Sequence, residues 1–218
     1  MNKTLKSLEE LYTKKEYKQV RDRLLSQKSE IDGGVFHYNL GTIYGKLEDY
    51  AASRYNLELA LKKGFQSSKV YKNLRFVQQK IPVMDIDSSP AWLDKFMSVS
   101  ANASYDIFLM FSLMLMLTTL FYIKRKVLRS ARFIVLFLGI SLIPYLSYIF
   151  YFSTLKIGVL LNPSSLREGP SKVYEELDTL PAGSKLIFGE ENSGWVLIEK
   201  PNSFSGWVQM NNIGFIEE

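Results

Sequence analysis

The spacing of hydrophobic and polar positions changes character along the chain. Through residues 1–82 apolar residues recur at three- and four-residue intervals, the pattern of amphipathic helices. From Tyr105 to Ile123 the chain reads YDIFLMFSLMLMLTTLFYI, with one charge, Asp106, at its edge. From Phe133 to Leu155 it reads FIVLFLGISLIPYLSYIFYFSTL, with none. As helices these runs of 19 and 23 residues span roughly 28 and 34 Å, enough to cross a bilayer core about 30 Å thick. Beyond Lys156 the pattern becomes alternation over short runs broken by turn residues, which predicts strands.

A core helix of a soluble bundle keeps a polar stripe, and neither apolar run has one. Pro144 predicts a kink, which spanning helices tolerate. Tyr105, Phe121 and Tyr122 flank the first run, and Tyr145, Tyr148 and Tyr151 crowd the end of the second, as expected of rings at headgroup level. The connection between the runs, KRKVLRSAR at 124–132, carries Lys124, Arg125, Lys126, Arg129 and Arg132 and no acid. Basic residues beside a span stay on the cytoplasmic side. The runs therefore read as transmembrane helices 105–123 and 133–155 in a hairpin with a cytoplasmic loop, and both flanking segments share the extracytoplasmic face. Lys95, Lys156, Arg167 and Lys172 are a weaker counterweight, and simple contact with lipid headgroups is the competing reading of the loop. The first twenty residues lack the apolar core of a secretory signal peptide. Either the start then lies upstream of Met1, or the N-terminal segment crosses by another route, or the topology is inverted.

Residues 1–82 also repeat. GVFHYNLGTIYGKLEDYAASRYNLELALKKGF, Gly34–Phe65, resembles a tetratricopeptide repeat at Asn39-Leu40-Gly41, Tyr44, Leu47, Asp49-Tyr50, Ser53 and Ala60-Leu61. Gly41 lets the second helix approach the first, and Ser53 and Ala60 are small where the helices cross. Lys14-Lys15-Glu16-Tyr17 is a degenerate earlier copy, and Ser68–Ile81 reads as a capping helix ended by Pro82. About five helices result. Such stacks present a concave face to peptides, for which the candidate lining is Tyr38, Asn39, Thr42 and Asn73. The competing reading is a purely structural array, with Tyr38 as packing. His37, the single histidine, falls at a packing position. The linker, 83–104, carries Ser89 as a candidate N-cap and Pro90 at the first helical position. Trp92, Phe96 and Val99 follow at helical spacing, as in a helix lying at the interface or one packed on the repeats.

In residues 156–218 short strands are expected at 157–161, 184–190, 194–200, 206–210 and 214–218, as a small closed or nearly closed barrel. Ser165-Leu166-Arg167-Glu168-Gly169-Pro170-Ser171, Leu180-Pro181-Ala182-Gly183, Gly194-Trp195-Val196 and Gly206-Trp207-Val208 resemble, in order, the opening, the turn and the two Gly-Trp strands of bacterial SH3 domains. Ser and Leu stand where the opening motif usually has Asn and Val. Trp195 and Trp207 are either core or the wall of an aromatic groove for an extended peptide or a glycan-linked peptide, with Tyr174 and Phe204 nearby.

Composition removes much chemistry. The chain has no cysteine and one histidine, so thiolate nucleophiles and multi-histidine metal sites are excluded. No phosphate-binding glycine loop occurs. Glu175-Glu176 and Glu190-Glu191 lie at strand ends and turns, where solvated charge is the simpler reading. The net charge of +5 gathers in the hairpin loop and the N-terminal helices, without the basic, aromatic-laced face of a nucleic-acid binder. No enzyme activity, cofactor or metal is expected.

The fold expected is a multi-domain membrane protein, with α-helical tetratricopeptide repeats, a transmembrane helical hairpin and a C-terminal all-β SH3-like barrel. This order resembles the BatE-type proteins of bacterial aerotolerance operons. The resemblance implies a scaffold in the bacterial cytoplasmic membrane, working with membrane proteins bearing von Willebrand factor A domains and a MoxR-type ATPase in envelope stress or oxygen tolerance. Two alternatives stand beside this non-enzymatic adaptor. One is a peptidoglycan-binding or sensing protein. The other is an accessory subunit of a membrane enzyme or transporter, with Asp106 functional.

Overall fold

The computed structural model describes residues 3–82, 84, 86 and 89–216. Of the linker, Val83, Asp85, Asp87 and Ser88 lie outside the described residues, as do Glu217 and Glu218 of the last expected strand. The chain divides into two compact units, one of residues 1–94 with 156–218 and one of residues 95–155.

In the first unit the N-terminal segment forms five helices: α1 (Lys3–Thr13), α2 (Tyr17–Ser26), α3 (Gly33–Lys46), α4 (Tyr50–Lys62) and α5 (Ser68–Gln78). Asp32 and Asp49 cap α3 and α4, each accepting from backbone amides of the first turn. Gly41 sits where α3 meets α4. A Cβ there would lie 2.9 Å from the Leu57 side chain, so glycine sets the close approach. Ser53 on α4 donates to the Gly41 carbonyl at 2.7 Å, and its small side chain fits the crossing. Leu24, Phe36, Leu40 and Ile43 fill one core, and Leu57, Val70, Leu74 and Val77 a second.

The C-terminal segment forms one antiparallel sheet in the order β3-β2-β6-β5-β4-β1-β7. Its strands are β1 (Lys156–Leu160), β2 (Ser164–Arg167), β3 (Glu176–Leu180), β4 (Lys185–Asn192), β5 (Trp195–Lys200), β6 (Gly206–Gln209) and β7 (Ile213–Phe215). Leu160, Leu166, Leu180, Leu186, Phe188, Val196, Ile198, Val208 and Ile213 belong to a single buried cluster. All seven strands contribute to it, so the sheet curls around its own inner face. The β4–β5 turn has Ser193 at φ 50° and Gly194 at φ 84°, the two left-handed residues of a type I′ hairpin.

Helices and barrel share an interior. Helix α4 is buried on two sides, and Arg54, Glu58 and Lys185 lie together between α4 and β4. Lys185 Nζ donates to Glu58 Oε2 at 2.9 Å, Arg54 Nε is 3.9 Å from Glu58 Oε1, and Arg54 Nη1 donates to the Gly183 carbonyl at 2.9 Å. The Tyr55 ring covers Gly214 and Ile81 covers Gly183. The linker residues Met84 and Ile86 are buried or half-buried, and Met84 packs on the barrel core. Sequence reading treats the repeats and the barrel as separate domains; in the structure they form one body.

In the second unit α7 (Tyr105–Lys124) and α8 (Ala131–Phe150) pack along each other. Only 11% and 6% of the residues in their most apolar stretches are buried. Ser112 donates to the Ser141 carbonyl between them. Pro144 lies within α8, which continues through it. Helix α7 runs on through Lys124 and α8 starts at Ala131, so the loop is 125–130 rather than 124–132, and α8 ends at Phe150 rather than at 155. In the turn, Arg129 donates to the Lys126 carbonyl at 2.8 Å and Arg125 lies 5.2 Å from the centre of the Phe121 ring. Helix α6 (Trp92–Asn102) begins after Pro90, later than expected. Ser89 accepts from the Ala91 amide at 3.3 Å and donates to Asp94 Oδ2 at 2.6 Å, so it ties the entry to the helix rather than capping a turn opened by Pro90.

Candidate functional site

Antiparallel pairing places Trp195 opposite Gln209, Leu197 opposite Trp207, and Arg167 opposite Trp207. Directly opposed residues point to the same face. Val196, Ile198, Val208 and Leu166 turn inward, so Trp195, Gln209, Trp207 and Arg167 share the outer face of β5, β6 and β2.

An open groove of about 240 Å³ runs along one end of this face. Trp195 and Gln209 form part of its lining, Pro163, Ser164 and Ser165 another, and Arg167, Lys172 and Asn212 the remainder. Its edges are hydroxyls, amides and two cations, and no carboxylate lines it. Arg167 is held in place: Nη1 donates to the Tyr174 carbonyl at 2.8 Å and to the Lys172 carbonyl at 3.3 Å, and Nη2 pairs with Glu176 at 3.1 Å. Lys172 is exposed and makes no ion pair among the described residues. Trp195 is 8% exposed, so most of the indole is buried although it lies on the outer face, and the rest lines the groove.

Residues 162–213 are a bacterial SH3 domain. The match begins after β1 and leaves the N-terminal helices and the two apolar helices outside it. No curated protein and no solved structure matches the chain. Strand β1, ahead of the matched SH3 segment, is nevertheless part of its sheet, pairing with both β4 and β7.

Of the four aromatic candidates, the groove receives Trp195 alone. Trp207 shares its face but does not line the groove, Phe204 packs against the core, and the Tyr174 ring covers Gly169. Sequence reading missed Gln209, Asn212 and Lys172. Gln209 could have been found from period two, because it lies two positions beyond Trp207.

On the helices, Asn73 of α5 donates to Thr42 Oγ1 at 3.0 Å, and Thr42 donates to the Tyr38 carbonyl at 2.9 Å. The Tyr38 ring lies 5.1 Å from that of Phe65 and belongs to the second helical core. Asn39 is half-buried on the same helix. Thr42 and Asn73 therefore join α3 to α5, and Tyr38 is largely packing.

His37 packs edge-on against Phe36 at 5.1 Å. Asn56 donates its amide to the Ala52 carbonyl at 2.8 Å, which turns its oxygen toward His37 Nδ1 at 2.9 Å. Nδ1 is thus the donor. Burial holds the imidazole below its ordinary value; the Asn56 bond opposes this, and Lys63 and Lys28 add to it. The unfolded chain then takes up a proton before the folded one. Stability is fully present above about pH 6.5 and falls as pH drops through the folded value. Urea midpoints should decrease more for wild type than for His37→Gln between about pH 7.5 and pH 5.5. Equal decreases would remove His37 from the acid response.

Proposed function

We propose that the chain is a two-span membrane protein acting as a non-enzymatic adaptor, with the helical region and the SH3 domain together on the extracytoplasmic face. The observation that carries the binding reading is the groove beside Trp195. Its serine hydroxyls and amide side chains suit the backbone of an extended peptide, the indole edge suits an apolar side chain, and Lys172 suits a carboxylate. The two apolar helices support the anchor, because surfaces so apolar and so little buried need a non-aqueous surrounding. The helical region is read as tetratricopeptide repeats on the Gly41 and Ser53 contacts. The BatE-type order of parts points to partners bearing von Willebrand factor A domains and to a MoxR-type ATPase.

A second reading draws on the groove's cationic edge. Peptidoglycan stem peptides carry several carboxylates, so the cell wall is the alternative ligand. Full-length tagged protein, wild type and Lys172→Glu, is recovered from membranes for its bound proteins and is also pelleted with purified sacculi. A charge-assisted contact contributes about 1.5–3 kcal/mol, so the variant should lose about tenfold or more in one assay. Loss of co-purified proteins supports the adaptor, and loss of pelleting supports the wall. Equal behaviour of the two proteins in both assays removes the groove as the binding site.

A further inference from the structure

Helix α6 has its polarity reversed. Trp92, Phe96 and Val99, on one face at spacings of four and three, are 77%, 54% and 71% exposed. Leu93 is exposed beside them. Asp94, Ser98 and Ser100 are buried, along with Met97. Asp94 accepts from Ser89 and lies 3.8 Å from Lys200 Nζ, so its carboxylate has partners. In water this arrangement is upside down, since a helix exposes its charged face and buries its apolar one.

The neighbouring rings say what covers that face. Phe96 lies 6.2 Å from Phe152, Phe152 lies 5.2 Å from Phe108, and Phe108 lies 5.1 Å from Tyr148. Tyr148 in turn meets Tyr105 at 5.7 Å. The exposed face of α6 therefore continues the aromatic surface at the ends of α7 and α8 opposite the basic turn. Only Ala103 and Ser104 separate α6 from α7. Rings with polar tips collect at headgroup level, and lysine stems reach along apolar surface to a charged head. Lys95 is exposed on α6 between Trp92 and Phe96.

We infer that α6 lies in the plane of the extracytoplasmic headgroup layer, with Trp92, Phe96 and Val99 inserted into the lipid and Lys95 at the phosphates. The inference rests on the membrane-spanning reading of α7 and α8. A helix so placed sits about 5–10 Å into the headgroup–acyl boundary.

The test is by nitroxide labels on single cysteines at Val99, Leu117 and Ser203, in full-length protein reconstituted into phosphatidylcholine vesicles with some phosphatidylglycerol. Collision with oxygen reports lipid, and collision with a water-soluble nickel chelate reports solvent. The Val99 label should favour oxygen over nickel several-fold more than the Ser203 label does, and less than the Leu117 label in mid-span. A Val99 label as open to nickel as Ser203 overturns the inference while Leu117 still reads as lipid. A Val99 label closed to both reagents also overturns it, because protein then covers the face. A Leu117 label outside lipid removes the spanning reading and this inference with it.

Discussion

Replacing Glu58 with alanine is expected to cost about 3–5 kcal/mol, the range for removing one partner of a buried ion pair. The loss is a large share of the roughly 5–15 kcal/mol that holds a typical domain folded. Glu58 faces two buried cations, Lys185 at 2.9 Å and Arg54 at 3.9 Å. Without the carboxylate both charges remain out of water with less to offset them. Because Glu58 belongs to α4 and Lys185 to β4, amides of both elements should lose hydrogen-exchange protection together. Glu58→Gln keeps the shape but not the charge and should lose most of the same stability, because the two cations again have less to offset them. A Glu58→Gln variant as stable as wild type would show that shape, not charge, is what Glu58 supplies.

Trp195→Ala should cost about 3–5 kcal/mol, as truncation of a buried large aromatic does. The indole is 8% exposed and sits at the start of β5 between Asn192 and Gln209. Trp207→Ala should cost less, because Trp207 is only half-buried on the outer face. Denaturant unfolding of the full-length protein, followed by hydrogen exchange of β5 and β6, separates the two variants. Trp195→Phe should keep the fold and lose the indole edge of the groove, so it reads ligand binding without unfolding. A stable Trp195→Ala would contradict the packing described for the SH3 domain.

Much of the fold could be read from the chain because the signals are physical necessities. The apolar runs give α7 and α8 by length alone, Gly41 and Ser53 mark a close helix crossing, and the Gly-Trp pairs open β5 and β6. What was not legible has causes too. Strand β3, ELDTL, is an edge strand exposed along most of its length, so it shows no alternation. Strand β2 hides inside a motif that reads as a turn. Arg54 and Glu58, four apart on a helix, look like a solvated pair, and only packing against β4 buries them. Helix α6 carries a correct apolar stripe, but sequence cannot say that the stripe faces out. The groove combines residues from β2, β5, β6 and the segment after Arg167, and sequence pointed to the tryptophans without the polar edge between them.

The central claim is that the helices and the SH3 domain lie together outside a membrane crossed by α7 and α8. The chain has no cysteine, so single cysteines at Ser68, Ser203 and Ser130 report position without background. Intact spheroplasts are treated with a membrane-impermeant maleimide. Labelling at Ser68 and Ser203, with Ser130 protected until the membrane is opened, is the result expected. Labelling of Ser130 alone would put both modules in the cytosol, exclude peptidoglycan as the ligand and contradict the account.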